Sequence, residues 1–195
     1  MRSVCVVIIC FYFYSCRGQI KPNTAQMERF DITEFNAHKI AGEFNTTLSD
    51  GTWISRFGDK SGYFEKIVPP KTWFYTYKEF YGNGSLKLEG TLFKKGDFQA
   101  GTWTEFDERG NKMKEINYDQ QYKLNVDSIF KILREKGIAF SMDDVFNSIK
   151  RGMINSKGIW QVEWKIKADR VERMQIEDNT GKIVKQDFYL FQADN

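Results

Sequence analysis

Regularly spaced glycine turns are the strongest constraint that this sequence places on its fold. Between Phe44 and Tyr118 the chain consists of short aromatic-rich runs separated by turn-forming sequences such as Gly82-Asn83-Gly84. Glycine is favoured where the backbone must reverse direction, and aromatic residues are favoured in strands. Turns at this spacing predict an antiparallel meander of short strands. Proline cannot donate to a strand ladder, so Pro69 and Pro70 are expected in a connection or at an edge.

Two segments of this region repeat with an offset of 26 residues. Tyr77-Lys78-Glu79-Phe80, with the glycine turn and strand that follow, aligns with Trp103-Thr104-Glu105-Phe106 and the corresponding residues after it. Gly51–Lys66 is a third and more divergent candidate copy. The pattern resembles the degenerate bacterial MORN-type hairpin repeat, found in lipoproteins and in proteins labelled YwqK-family antitoxins. That resemblance implies stacked hairpins, because one hairpin alone is too small to bury its aromatic face.

The hydrophobic period changes after Tyr122 from two residues to 3.6. One helix is predicted from Asn125 to Lys136, and Gly137 ends it. A second short helix is predicted to begin after Ser141 and to end at Gly152. Its apolar stripe would consist of Met142, Val145, Phe146 and Ile149. The first helix has its own stripe at Val126, Ile129, Phe130 and Leu133, and both stripes are typical of helices that pack on a core.

The last part of the chain predicts three strands, at Ile159–Ala168, Val171–Glu177 and Lys182–Phe191. Asp178-Asn179-Thr180-Gly181 forms the turn between the last two. Met174–Val184 resembles the signature hairpin of PepSY domains, in which an apolar strand runs into an acidic residue, Thr-Gly-Lys and a second strand. The resemblance implies a helix packed across an antiparallel sheet. Inhibition of peptidases has been proposed for that family.

The residues at the N-terminus follow one another in the order that is typical of an export signal. An apolar run without charges, Val4–Tyr14, follows Arg2 and precedes Cys16, and the other two cysteines, Cys5 and Cys10, lie within the run. The run is too short to span a bilayer, which takes roughly 20 residues. The segment resembles a bacterial lipoprotein signal in which Cys16 receives the lipid.

The flanking residues keep other interpretations open. Phe13 and Tyr14 are bulkier than the residues usual before a lipidated cysteine. Cleavage by the ordinary signal peptidase near Gly18-Gln19, an uncleaved anchor and a mis-assigned start are the alternatives. With Cys16 acylated, the mature chain has no thiol left for disulfides or zinc, and its two acyl chains would form a stable anchor.

The predicted organisation is a signal peptide at 1–16, a flexible tether at 17–27, a MORN-like hairpin region at 28–120 and a PepSY-like helix and sheet at 121–195. The predicted fold class is therefore α+β, an antiparallel hairpin meander followed by helices packed on an antiparallel sheet. The expected location is the envelope of a Gram-negative bacterium. The residues after Cys16 contain no acidic cluster that would direct surface display, which favours the periplasmic side.

The composition argues against several functional classes. The formal net charge is only +3, and basic and acidic residues are mixed along the chain, so nucleic acid is not an expected partner. The single histidine, His38, lies outside any serine-elbow or metal-binding motif. No catalytic residue, metal or cofactor is expected. The aromatic residues offer a stacking surface for a ligand, but hairpin core is the favoured interpretation of Trp53, Trp73 and Trp103.

The leading functional hypothesis is a non-catalytic, membrane-anchored module that binds or inhibits a protein or an envelope glycan. Two rivals remain. The first is an immunity protein against a toxin that acts in the periplasm. The second is a hydrolase of envelope polymers that uses paired carboxylates. Its candidate residues repeat along the hairpins at Glu79, Glu89, Glu105 and Glu115, and repetition is more typical of cross-strand ion pairs than of catalysis.

Overall fold

The computed structural model describes residues 28–190, so the predicted signal, the tether and Cys5, Cys10 and Cys16 lie outside the described residues. Two helices and eleven strands follow in the order α1 (Ile32–His38), β1 (Glu43–Thr47), β2 (Trp53–Asp59), β3 (Gly62–Val68), β4 (Phe74–Tyr81), β5 (Leu86–Phe93), β6 (Gln99–Phe106), β7 (Lys112–Asn117), α2 (Val126–Glu135), β8 (Ser148–Ile154), β9 (Lys157–Lys167), β10 (Arg170–Glu177) and β11 (Ile183–Leu190). Within residues 28–190, neither helix has the length and apolar character needed to cross a bilayer.

The first seven strands form one antiparallel sheet in the order of the chain, which confirms the predicted meander. The two aligned repeats begin in β4 and β6 and form the hairpins β4–β5 and β6–β7. The third candidate copy forms the hairpin β2–β3. Pro69 and Pro70 lie in the connection between β3 and β4, as predicted.

One face of this sheet, here called the covered face, packs against α1 and the segment before it. Phe35 of α1 and the preceding Phe30 form a buried cluster with Tyr63 and Phe80 from β3 and β4. The rings of Phe30 and Tyr63 stack with centroids 4.6 Å apart. Helix α1 was not predicted from the sequence. Its start is fixed by Asp31, whose carboxylate accepts a hydrogen bond from the Glu34 amide at 2.8 Å.

The remaining strands form a second antiparallel sheet in the order β11-β10-β9-β8, with α2 packed on it. The helix predicted from Asn125 is confirmed, with Asn125 as the N-cap residue that accepts from the Ser128 amide at 2.9 Å. The three predicted tail strands are confirmed as β9, β10 and β11. The predicted turn at Asp178–Gly181 is also present, and Gly181 adopts a φ of +67° there.

The predicted second helix after Ser141 is wrong. Residues 141–147 form turns, and β8 occupies the segment that contains Gly152. Pairing across the sheet outweighs the helical spacing of the apolar residues, since Ile149 lies opposite Val162 of β9. Val145, expected on the buried stripe, is instead 82% exposed.

The two sheets share a hydrophobic core. Phe93 of the meander lies in one buried cluster with Ile129 and Leu133 of α2 and Trp160 of β9. The backbone joins them as well, because the Ile149 amide donates to the carbonyl of Lys95, in the β5–β6 turn, at 2.6 Å. The coarse architecture is therefore α+β with few helices and a β-meander whose core continues into the second sheet.

A buried carboxylate fixes the chain between the meander and α2. Asp178 is 2% exposed and accepts hydrogen bonds from the amides of Lys123 at 2.7 Å and Leu124 at 3.0 Å. It also accepts from the indole Nε1 of Trp160 at 2.9 Å. Three N–H groups offset the cost of removing a carboxylate from water. This residue joins the entry to α2 to the second sheet.

Candidate functional site

The face of the seven-stranded sheet opposite α1, here called the open face, carries the candidate site. Residues paired directly across neighbouring strands lie on the same side of a sheet, and successive residues alternate. The pairing register places Phe64, Tyr77, Leu88 and Glu105 on the open face. Neither buried hydrophobic cluster of the described chain includes any of these residues.

Five aromatic side chains follow one another across the open face and form what we call the aromatic stripe: Phe57, Phe64, Tyr77, Trp103 and Tyr118. Neighbouring ring centroids are 5.0, 6.3, 6.0 and 6.1 Å apart along this series. These distances lie in the range of favourable ring contacts. The stripe crosses β2, β3, β4 and β6 and reaches the segment after β7.

The stripe depends on one glycine at its centre. Gly90 of β5 lies between Tyr77 and Trp103, and a Cβ atom at this position would lie 2.1 Å from the indole of Trp103. The indole therefore lies directly on the backbone of β5, where its Nε1 donates to the carbonyl of Thr91 at 3.2 Å. As a result, Trp103 is only 6% exposed, and the favoured core interpretation of this residue is confirmed.

The other two tryptophans considered for stacking make no ring contact with the aromatic stripe. Trp73 packs against Phe93 and Phe130 in the shared core. Trp53, at the start of β2, lies on the open face and is 40% exposed, so the core interpretation is wrong for this residue. Of the three tryptophans, Trp103 alone belongs to the aromatic stripe.

Two of the four repeated glutamates also lie on the open face. Glu79 and Glu105 each pair opposite Leu88, from β4 and β6, and both line a cavity of about 360 Å³ together with Lys87. Lys87 forms a salt bridge with Glu79. Glu89 and Glu115 alternate to the covered face, since Glu89 pairs with Lys78 and Thr104, and Thr104 with Glu115. The structure therefore brings Glu79 and Glu105 together and separates them from the other pair.

A larger cavity, here called the junction cleft, lies where the open face meets the second sheet. Its volume is about 460 Å³. Its aromatic walls are Phe98, Trp103, Tyr118 and Tyr122. Its polar walls are Asp97, Gln99, Gln121 and Arg151. Because Trp103 and Tyr118 belong to both, the aromatic stripe leads directly into the cleft.

Arg151 of β8 lines the junction cleft, and its side chain is held by contacts on several sides. Its guanidinium carbon lies 4.5 Å from the ring centroids of both Phe98 and Tyr122 and 5.4 Å from that of Trp160. It donates to the carbonyl of Gln99 at 2.5 Å and to the carboxylate of Asp119 at 2.6 Å. With 4% of its side chain exposed, this cation is held by three rings and two acceptors from both parts of the fold.

The hydroxyls of Tyr75 and Tyr122 stay protonated at neutral pH, because the pKa of each is raised. Burial raises the pKa of Tyr122, although the positive charge of Arg151 acts in the opposite direction. Burial and the neighbouring Asp97 raise the pKa of Tyr75 to about 12, and the Tyr75 hydroxyl donates to Asp97. These phenols therefore act as neutral hydrogen-bonding groups and not as bases.

The other residues considered in the sequence lie away from the cleft. His38 ends α1, donates from Nδ1 to the carbonyl of Glu34 at 2.9 Å and stacks on Phe44. Cys16 lies outside the described residues. No group of three or more histidine, cysteine, aspartate or glutamate side chains within residues 28–190 has the arrangement of a metal site.

The polar half of the cleft was not predicted from the sequence. Arg151 lies 32 residues after its acceptor Asp119, in the segment wrongly predicted as helix. Residues 149–153 show no regular alternation of apolar and polar side chains, so no local pattern indicates a strand there. Gln99 and Gln121 carry no signal, because amides are ordinary surface residues.

Comparison with known proteins adds no assignment, since no protein-family description, curated protein or solved structure matches this chain. The MORN-type and PepSY-like resemblances remain predictions from the sequence.

Proposed function

We propose that this protein is a lipid-anchored module of the bacterial cell envelope that binds or inhibits a protein or envelope component without catalysing a reaction. The proposal depends on one observation, the aromatic stripe on a sheet face outside both buried clusters. The opposite face of the same sheet is covered by α1, the segment before it and the second sheet. We infer that the open face is the contact surface.

The residue types on the open face support binding. A sheet face that only meets water usually carries polar side chains at alternate positions. This one carries aromatic rings, flanked by charges such as Glu79, Lys87 and Glu105. Aromatic residues surrounded by polar residues are typical of interaction surfaces. The hairpins thus serve as a rigid platform in this proposal.

The proposed location at the membrane is inferred from the sequence. Cys16 is the expected lipidation site, and a lipidated Cys16 would hold the domain at the membrane through the tether at 17–27. The MORN-type and PepSY-like resemblances both support a binding or inhibitory role over catalysis. Mass spectrometry of the mature N-terminus tests whether Cys16 carries a lipid, and a Cys16→Ser variant is the control.

Site-specific photocrosslinking in intact cells tests the open face. A photoreactive amino acid placed at Lys87 or Lys114, which face outward near Glu79 and Glu105, should give discrete crosslinked products. The matched control positions are Lys131 and Glu135 on the exposed side of α2, and these should give none. Equal products from both pairs of positions, or none from the open face, would overturn the proposal. The identity of a protein product also tests the immunity hypothesis, which requires a toxin.

The hydrolase alternative retains one structural argument, the shared cavity of Glu79 and Glu105. Paired Glu79→Gln and Glu105→Gln substitutions test it on purified envelope polymers. We expect the double variant to release the same amount of soluble fragments as the unaltered protein. A loss of release by several hundredfold would instead assign catalysis to this pair.

A further inference from the structure

We infer that the junction cleft is a binding site for an uncharged oligosaccharide, with C–H groups of the sugar against the aromatic side chains that line it and the sugar hydroxyls bonded to its amide and phenol groups. This inference deepens the proposed function and rests on it, because it names the ligand class that the open face receives at one end. The junction cleft is the largest of the cavities described above, at about 460 Å³. Sites for small ligands usually measure roughly 300–1,000 Å³.

The hydrogen-bonding groups of the cleft suit hydroxyl groups. A sugar hydroxyl both donates and accepts, so its site needs neighbouring donors and acceptors. The amides of Gln99 and Gln121 offer both, and the phenols of Tyr118 and Tyr122 do the same. No described residue forms a hydrogen bond with the side chains of Gln99 or Gln121, whereas the backbone carbonyl of Gln99 already binds Arg151. Four side chains therefore remain available to a polyhydroxylated ligand.

The charge of the cleft disfavours anionic ligands. Arg151 is the single cationic side chain among the residues that line it. The guanidinium is enclosed by Phe98, Tyr122 and Trp160 and already binds Asp119. A phosphate or carboxylate ligand would therefore lack a counter-ion and would face the carboxylate of Asp97. The same argument excludes nucleotides and phosphorylated headgroups.

The apolar part of the cleft disfavours acyl chains. Leu92 is the one aliphatic residue in its lining, and the other apolar walls are aromatic rings with polar side chains between them. An acyl chain would cover the amides of Gln99 and Gln121 without bonding to them, which is costly. A sugar ring presents C–H groups on its faces and hydroxyls at its rim, so it matches both kinds of wall.

The walls of the cleft are held in place before any ligand arrives. Trp103 is fixed on Gly90, and the Trp103 and Tyr118 rings meet edge to face at 78°. Asp119 accepts from the Gly101 amide at 2.9 Å while it holds Arg151. A site that needs little ordering on binding loses less entropy, which favours affinity.

Calorimetric titration of the mature protein, extracted from the membrane, tests the inference. The protein is kept in a zwitterionic detergent, because detergents with sugar headgroups would compete. The probes are chitotetraose and cellotetraose as uncharged oligosaccharides, with a heparin tetrasaccharide as the anionic comparison. We expect saturable binding of at least one uncharged probe and none of the anionic one.

Substitutions of two residues that line the cleft, and of one adjacent residue that does not, test where the ligand binds. Gln121→Ala and Tyr118→Phe should each weaken the affinity about tenfold, the usual effect of losing one or two well-placed hydrogen bonds. Gln120→Ala is the matched control, because Gln120 precedes Gln121 but does not line the cleft, and it should bind within twofold of the unaltered protein. Preserved unfolding temperatures for all three variants confirm that they remain folded.

The outcomes separate this inference from the proposed function. Absence of binding to every uncharged probe at millimolar concentration, together with open-face crosslinks to a protein, overturns the saccharide site and leaves the binding function in place. If neither saccharide binding nor open-face crosslinks are observed, both the saccharide site and the proposed binding function are overturned. Saccharide binding that Gln121→Ala and Tyr118→Phe do not weaken also overturns the assignment to this cleft.

Discussion

One glycine, Gly90, determines where the indole of Trp103 can lie. Because a Cβ atom there would lie 2.1 Å from the indole, Gly90→Ala must move Trp103 or the backbone of β5. We expect the substitution to lower the free energy of unfolding by about 1–3 kcal/mol. Urea denaturation followed by fluorescence and circular dichroism measures the change.

Gly152 provides the matched control for this prediction. It also lies inside a strand, but a Cβ atom there would meet no other atom within 4 Å. Gly152→Ala should therefore leave stability unchanged or raise it slightly, since alanine restricts the unfolded chain. Equal losses in both variants would show that contact with Trp103 is not the cause.

Asp178 is the second residue whose substitution should be costly. Asp178→Ala leaves the amides of Lys123 and Leu124 and the Trp160 indole without their buried acceptor. We expect the free energy of unfolding to fall by about 3 kcal/mol. The exposed Glu135 at the end of α2 is the comparison, and Glu135→Ala should change stability by less than about 0.5 kcal/mol. A similar small effect at Asp178 would contradict the role proposed for this carboxylate.

At the scale of single elements, the hairpin β10–β11 should respond to acid. Two hydrogen bonds from Arg173, at 2.8 and 3.0 Å, and a salt bridge from Lys185 lower the pKa of Asp187. A carboxylate with a lowered pKa in the folded state stabilises the fold above its ordinary pKa of about 3.9. That contribution is lost progressively as the pH falls below this value.

The Asp187→Asn variant measures this contribution. The difference in unfolding free energy between it and the unaltered protein should be constant near pH 6 and should shrink from about pH 4 downward, because Asp187 then takes up a proton in the unfolded chain while it is still charged in the folded protein. Arg173→Gln should show the same dependence, since it removes the partner. A difference that stays constant down to pH 2 would rule out the ion pair as the cause.

The elements differ in how well the sequence predicts them. The helix after Asn125 and the strands β9–β11 were predictable because local pattern, caps and turns agree there. The segment 142–152 was not, because its apolar spacing favours a helix while its strand exists only through pairing with β9. The short helix α1 was missed because one buried residue, Phe35, gives too little periodicity.

At the scale of the whole molecule, the shared core predicts cooperative unfolding. Phe93 from the meander and Trp160 from β9 belong to one buried cluster, so neither sheet retains its core without the other. We expect fluorescence and far-ultraviolet circular dichroism to report one coincident urea transition. Fragments 28–120 and 121–190 should each fail to fold alone, which amide exchange detects. Two separate transitions, or a protected fragment, would contradict this prediction.

The candidate site could be predicted only in part. The aromatic richness of the hairpins was visible in the sequence, and so were Glu79 and Glu105 at repeated positions. Which face each side chain occupies depends on register and on bulges such as the shift between Glu79 and Phe80. The junction cleft needs Arg151 from the second sheet against Phe98 from the first, a contact that no local pattern encodes.

The described chain begins on the covered face, where Glu28 forms a salt bridge with Lys78 and the Phe30 amide donates to the carbonyl of Gly84. A load applied to the protein through its N-terminus would therefore pull first on this short segment and on the Phe30–Tyr63 stack beneath it. The aromatic stripe and the junction cleft lie on the opposite side of the same sheet. A molecule tethered in this way would present the aromatic stripe away from the point of attachment, and tension on the tether would be borne by residues outside the stripe and the cleft.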